Sequence, residues 1–462
     1  MSISITEFTI EELWGYQTFK IPIKDNKLVL VGENGTGKST IANLIFFLLT
    51  FQLKKINQYD FKEISLATDQ EKIVLSKKQL NIIIKQIRES KILLKKFIPE
   101  YIDLEDRNNL NFLLDISTFI SEFLSEFSRG NTREYNLLDF QRIIEIDNSI
   151  RIVKNEFKKI TKIVKDKVLY LPTYRRIEQD LKAIFPDFYS ELYEKKISRI
   201  TKQKDYVELV EFGMEDVEQT INRKMDNLKN SVRNQLENLI ATVLKDLINK
   251  IYQKAEVEEL KNLDNETVES IFSRIDEKFL PEKEKKELRD MLEKIKNEGE
   301  IEEEQKVTAH FLIKLLKWHK QQQEQEKDIR SFINVCNNYL VGKQLRYDNI
   351  NLRIYITLDR QNIKNENNQK LENEEIELKM LSSGEKQIVS LFSHLYLSDT
   401  SDYFVIIDEP ELSLSVPWQK RFLPDILHSG RCNGLIAVTH SPFIFDNELD
   451  SYTHSLTEFI SQ

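Results

Sequence analysis

The apolar positions of this chain change period several times, and each change marks an element. KLVLVG (Lys27 to Gly32) is a short apolar run rich in β-branched residues and predicts a strand. A glycine-bearing loop follows, then an apolar helix from about Ser39 that contains IANLIFFLLTF (Ile41 to Phe51). FKEISLA and EKIVLSKK predict two further strands joined by the turn TDQ. From about Lys78 to Lys165 the pattern is mainly helical, broken by a polar loop near Ser128 to Glu134. KVLYLP predicts a buried strand ended by Pro172.

A long helical insertion comes next. Val217, Ile221, Met225, Leu228, Val232, Leu236, Ile240, Val243, Leu247 and Ile251 are spaced by threes and fours, which is one helix face. From Glu215 to Lys254 such a helix would extend ~60 Å at about 1.5 Å per residue. A second helical run, roughly Glu302 to Leu340, can return beside it, and the charged link Asp264 to Gly299 holds a shorter helix. An antiparallel arm is the expected arrangement. Strand patterns resume at NLRIYITLD (Asn351 to Asp359), YFVIIDEP (Tyr403 to Pro410) and LIAVTHS (Leu435 to Ser441). Between the first two lie an exposed polar stretch, RQNIKNENNQKLENEE, and a second glycine loop, LSSGEKQ, that opens a helix. The fold expected is α/β: a mixed β-sheet head with a long antiparallel helical insertion. Its divisions are 1–180 for the N-terminal part of the head, 181–345 for the arm and 346–462 for the C-terminal part.

The first glycine loop carries chemistry. Gly32-Glu33-Asn34-Gly35-Thr36-Gly37-Lys38-Ser39 fits the P-loop pattern, between a strand and a helix as the mechanism requires. Its glycines let backbone N–H groups face a β-phosphate, and Thr40 continues the run. Lys38 suits the β- and γ-phosphates, and the Ser39 hydroxyl suits Mg²⁺. YFVIIDEP delivers Asp408 and Glu409 at a strand end, expected beside the P-loop strand in a parallel sheet. Asp408 suits Mg²⁺, and Glu409 suits polarising an attacking water.

With these motifs in view, the chain resembles an ABC-class AAA-family ATPase. The branch is that of structural-maintenance-of-chromosomes heads, the SbcC and RecF repair ATPases and the overcoming-lysogenization-defect nucleases. LSSGEKQ resembles the signature motif of that class, DEPELSLS the Walker B and D-loop run, and VTHSP the switch-histidine segment. The resemblance implies two units facing head to tail, with the P-loop of one and the signature loop of the other clamping each ATP. Ser382, Ser383, Gly384 and Glu385 would then belong to the nucleotide site of the opposite unit. On its own, the same loop would read as a helix N-cap with Ser383 capping. His440, by the same resemblance, would contact the γ-phosphate. The family's D-loop commonly has a histidine where this chain has Ser415. The Q-loop has no clear match. Arg175, Arg176, Glu178 and Gln179 are candidates, with a surface charge cluster as the equal alternative. Trp14 and Tyr16 are expected in the core, with a place beside an adenine as the alternative.

Composition narrows the class. The formal charge is −9, which argues against a large non-specific nucleic-acid surface but leaves room for a local basic patch. Glycine is scarce at 11, and four of those sit in the two loops. Two cysteines, Cys336 and Cys432, are too few for a disulfide framework and suggest a reduced cytoplasmic setting. The N-terminus lacks the pattern of a signal peptide, and no apolar run approaches the ~18 residues of a membrane span.

The segments LPTYRRIE and EFGMEDV resemble those of bacterial defence ATPases with this type of head, found in the PARIS and Septu systems. The resemblance implies an ATP-dependent sensor and scaffold. It would dimerise or form larger homo-oligomers through shared ATP and hold a separate nuclease effector, toprim-type or HNH, until a phage-derived trigger. With no cluster of metal-ligand spacing outside the ATP site, no nuclease activity of its own is expected. The contrasting reading is a RecF- or SbcC-like repair ATPase that binds DNA across its dimer, for which salt-dependent duplex affinity would speak.

Overall fold

The computed structural model describes residues 4–85, 88, 167–172, 206–208, 214–254, 258–261, 263–275, 277, 280–298, 305–359, 374–400 and 402–461. Most of the expected helical stretch Lys78 to Lys165, the arginine loop at 175–179 and the polar stretch 360–373 lie outside the described residues.

In chain order the strands are β1 (Ile5–Leu13), β2 (Gln17–Pro22), β3 (Lys27–Val31), β4 (Glu63–Thr68), β5 (Lys72–Ser76), β6 (Lys167–Leu171), β7 (Tyr206–Glu208), β8 (Lys343–Asp348), β9 (Arg353–Leu358), β10 (Glu375–Ile376), β11 (Tyr403–Asp408), β12 (Cys432–Thr439), β13 (Thr453–Ser455) and β14 (Ile460–Ser461). The longer helices are α1 (Lys38–Leu49), α2 (Glu215–Ile248), α3 (Asn265–Ser273), α4 (Glu282–Glu298), α5 (Lys306–Asn337), α6 (Ser383–Leu397) and α7 (Val416–Leu427).

The chain divides into two compact units, residues 1–211 with 400–462, and residues 212–399. The first unit holds a parallel sheet in the order β13-β3-β12-β11-β6-β7 and an antiparallel sheet in the order β14-β2-β1-β4-β5. Contrary to the expectation from sequence, the P-loop strand β3 and the acidic strand β11 are therefore not neighbours. β12 lies between them and pairs with both. Neighbours in a parallel sheet are set by crossovers, which strand patterns do not encode. Because the strands run parallel, the loops after β3, β11 and β12 all emerge at one edge.

Helix α1 is apolar nearly all round, with Ile41, Ala42, Leu44, Ile45, Phe46, Leu48 and Leu49 buried. A helix of that kind must be covered on more than one side. Accordingly its residues share one core with Phe8, Ile10, Phe19, Ile21, Ile64 and Leu66 of the antiparallel sheet and with Leu28, Ile406 and Ile436 of the parallel sheet. Phe46 stacks on Tyr170 with ring centres 4.2 Å apart, and Tyr170 donates its hydroxyl to Asn43.

In the second unit α2 and α5 run antiparallel. Lys224 meets Asp328, Ser231 meets Gln325, Gln235 meets Gln322, and Asp246 meets His310, so one number falls as the other rises. Glu326 of α5 is fully buried, where an unpaired carboxylate would be costly. Arg274 at 2.9 Å and Arg330 at 3.0 Å hold it. α3, α4 and α5 share an apolar cluster that includes Phe272, Leu292, Leu312 and Trp318. Among the described residues, the link Asp264 to Gly299 thus holds two helices, α3 and α4, rather than one. α2 stops at Ile248 rather than Lys254, because Lys250 takes a left-handed conformation at φ 56°. The boundary expected at residue 346 falls inside this unit. β8, β9 and β10 form a small antiparallel sheet here, and α6 packs on α2 and α5, with Phe392 6.0 Å from Tyr339.

Candidate functional site

The first unit brings three sequence-separated segments to one sheet edge. Gly32 to Gly37 form the turn between β3 and α1, and Lys38 and Ser39 open the helix. Gly35 and Gly37 take left-handed conformations at φ 81° and 97°. Thr36 donates its hydroxyl to Glu33 O at 2.9 Å and tightens the turn. Gly37 is the N-cap of α1, and no side chain caps that end. The first N–H groups of the helix are thereby left for another acceptor, together with the positive end of its dipole.

Lys38 is buried, at 4% exposure, and donates its ammonium to Gly32 O at 2.8 Å and Glu33 O at 2.7 Å. Burial pulls its pKa down, while Glu409, Asp408 and Glu411 oppose that fall. The next residue, Ser39, donates its hydroxyl to Asp408 Oδ1 at 2.9 Å, across 369 positions of sequence. The two candidate metal-side groups are therefore in direct contact.

Glu409 follows at φ 54°, a left-handed conformation that a glutamate adopts at a cost. Its N–H donates to Val438 O at 2.8 Å. Burial is the first cause that raises its pKa. Asp408 and Glu411 add to it, and His440 and Lys38 act against it. A carboxyl with raised proton affinity at a partly buried position suits general-base work. His440 follows β12 with its side chain exposed.

Sequence reading missed Glu411. Its carboxylate accepts from the Thr439 hydroxyl and the His440 backbone N–H, both at 2.7 Å. The signal available was only a third acidic residue in DEPEL. Trp14 and Tyr16 are not core residues. They lie at the tip of the β1–β2 hairpin, 38% and 75% exposed, with ring centres 6.5 Å apart. The Trp14 ring lies against Gly37, where an added Cβ would come within 2.5 Å of it. That places an exposed aromatic on the loop and leaves the adenine alternative standing.

The signature segment belongs to the second unit. Ser382, not Ser383, caps α6, in a reciprocal box with Glu385. Ser382 N–H donates to Glu385 Oε2 at 2.8 Å, and Lys343 Nζ reaches the same carboxylate at 2.8 and 3.0 Å. Burial alone would raise the Glu385 pKa, but Lys343 and Ser382 hold it below the usual range. The Glu385 carboxylate is thus occupied in shaping the loop, while Ser383 is exposed.

The residues present fit ATP with Mg²⁺. The position a Gly35 Cβ would take has nothing within 4 Å, so the cradle is open there. Ser39 Oγ and Asp408 Oδ1 are hard oxygen donors of the kind Mg²⁺ prefers.

No curated protein matches the chain. Among solved structures, it is similar to a Pyrococcus furiosus Smc head domain with an extended coiled coil bound to the C-terminal domain of ScpA. That likeness has 15% identity and a TM-score of 0.33, and covers 96% of this chain and 91% of the other. It is also similar to a Pyrococcus yayanosii Smc head domain with a coiled coil and joint, at 13% identity and TM-score 0.28, covering 96% and 93%. Likeness this distant adds nothing to the assignment. A family profile described as AAA ATPase domain matches residues 3–445, a span that takes in the P-loop, the signature loop, Asp408, Glu409 and His440. On that match the chain belongs to the AAA ATPase domain family.

Proposed function

We propose that this chain binds ATP with Mg²⁺ and hydrolyses it at the edge of the parallel sheet. The observation that carries the proposal is the 2.9 Å contact between Ser39 and Asp408, which joins the phosphate loop to the acidic strand end. Gly32, Asn34, Gly35, Thr36, Gly37 and Thr40 supply the cradle, and Lys38 turns its ammonium from the loop carbonyls to the β- and γ-phosphates. Ser39 and Asp408 would hold the metal, which would supply neutralisation of charge on the phosphate oxygens. Glu409 takes a proton from the attacking water, and its raised proton affinity supports that role. His440 orients toward the γ-phosphate side.

The site is completed by a second copy, whose Ser382, Ser383 and Gly384 approach the γ-phosphate. The backbone and hydroxyl donors at the start of α6 are held ready by the Ser382–Glu385–Lys343 arrangement. In the cell the chain serves as the sensor and scaffold of a two-component anti-phage system and holds a separate nuclease until a trigger. The defence-ATPase resemblance of LPTYRRIE and EFGMEDV supports that role.

Hydrolysis by the purified chain, measured with Mg²⁺ and with Ser39→Ala and Glu409→Gln, tests the chemistry. Both variants should lose turnover. Unchanged turnover in both would place the active site elsewhere. Phage plaque counts on cells carrying this gene and its neighbours, with and without Lys38→Ala, test the cellular role.

A further inference from the structure

The turn after Asp408 is fastened to the end of β12 at more than one point. Glu409 N–H donates to Val438 O at 2.8 Å. Two residues on, Glu411 reaches the next two positions of the same segment. Its Oε2 accepts from Thr439 Oγ1, and its Oε1 accepts from His440 N–H, each at 2.7 Å. Thr439 is fully buried, and its hydroxyl accepts from Ser441 N–H at 3.0 Å. Ser441 donates its own hydroxyl to Gln419 at 2.6 Å, and Gln419 donates to Leu414 O at 2.8 Å. The hydrogen bonds therefore run from the turn to the β12 end and back to the turn.

We propose that Glu411 is a positioning residue of this ATPase site, whose carboxylate locks the His440 backbone to the turn that carries Glu409. The inference rests on the ATPase reading of Glu409 and His440. A carboxylate that uses both oxygens on consecutive residues fixes rotation as well as distance. Hydrogen bonds to an ionised acceptor are about twice as strong as neutral ones. The left-handed Glu409 needs such support, since a strained residue persists only where its surroundings over-determine it. Releasing the clamp lets the two groups drift relative to each other. A misplacement of about 1 Å can cost on the order of 100-fold in rate.

The substitutions Glu411→Ala and Glu411→Gln separate geometry from bulk stability. Glutamine can still accept from His440 N–H with its oxygen, but its amide nitrogen cannot take the Thr439 hydroxyl proton, so one arm of the clamp survives. Alanine keeps neither arm. Glu411→Ala should lower kcat by about 10- to 100-fold while ATP affinity stays within about threefold. Its Thr439–Ser441 amides should exchange with deuterium faster than in the parent chain. Glu411→Gln should recover part of the kcat lost in Glu411→Ala, because it keeps the His440 arm. In a His440→Ala background, Glu411→Ala should cost less than it does in the parent, because placement relative to His440 no longer counts and only the support of Glu409 is lost. Should Glu411→Ala not fold, Thr439→Val removes one arm of the clamp at the same shape and should move kcat and exchange the same way.

Faster exchange with unchanged kcat would overturn the inference, as would unchanged exchange or fully additive losses. A parent chain that exchanges as expected but hydrolyses no ATP would defeat the ATPase reading and the positioning role with it. Normal hydrolysis in both the parent and Glu411→Ala rejects the positioning role alone.

Discussion

Gly37→Ala puts two separable strains on the phosphate loop. The residue sits at φ 97° and ψ 10°, and an L-residue in left-handed backbone costs about 1–2 kcal/mol. The new Cβ would also lie 2.5 Å from Trp14 Cη2, with Cζ2 and Cζ3 at 3.4 Å, so the ring must move. The Trp14 backbone is held by its N–H to Asp60 O at 2.9 Å, which leaves side-chain rotation as the way out. An off-rotamer turn of about 30° costs about 0.5–1.5 kcal/mol. Together the two terms come to about 1.5–3.5 kcal/mol. If the free loop keeps its conformation, the loss appears as lower stability. If the free loop relaxes and must re-form around nucleotide, it appears as weaker binding, by about tenfold for every 1.4 kcal/mol. Urea unfolding and ATP titration on the same preparation read both shares, and their sum should fall in the stated range. Gly37→Ala with Trp14→Ala should recover the ring share and leave the backbone share. A summed loss below about 0.5 kcal/mol, the usual scatter of surface substitutions, would refute the left-handed requirement. No recovery in the double variant would show that the ring is not what the methyl meets.

Three further outcomes follow from the site. Lys38→Ala should abolish productive ATP binding, read with a labelled ATP analogue, because the loop loses its ammonium. Gly384→Glu should leave ATP binding nearly intact yet stop hydrolysis, and mixing it with Lys38→Ala should restore at most one working site per dimer. Glu409→Gln should bind ATP while hydrolysis falls by about 10²–10⁴-fold, as for loss of a general base. The same variant should also be more thermally stable than the parent in metal-free buffer at neutral pH. The folded chain binds the Glu409 proton more tightly than the unfolded chain, so its stability declines as pH rises from the ordinary glutamate range through the raised pKa. The gain in Tm should therefore shrink toward low pH, and equal Tm values at all pH would contradict it.

What could be read in the sequence was local. The strand, glycine turn and helix of the P-loop are contiguous, so their residue types and order sufficed. The cap was placed one residue late, at Ser383, although Ser382 stands three residues before Glu385, the spacing of a reciprocal box. Contacts between distant positions were not readable. Glu411 reaches residues 28 and 29 positions away, and Lys343 reaches one 42 positions away. No periodicity carries such information. The placement of β12 between β3 and β11 depends on how the chain crosses over the sheet. The end of α2 was misjudged because Ile251 continues the apolar spacing, while the left-handed Lys250 that breaks the helix leaves no mark in it. Trp14 and Tyr16 look like core by side chain alone, yet they stand exposed on a three-residue hairpin tip.

Helix α5 has 32 residues, which makes it a rod of about 48 Å. At its C-terminal end Asn337 grips the backbone of Leu345 with both its amide groups, at 2.8 and 2.9 Å. Two residues before Leu345, Lys343 grips Glu385 at the start of α6. Side-chain contacts thus tie rod, hairpin and signature loop in series. With the three parts tied in this way, a torque on the arm would reach Ser382 and Gly384 as a change of angle. If a second copy does engage those residues, a load on them would travel outward by the same linkage.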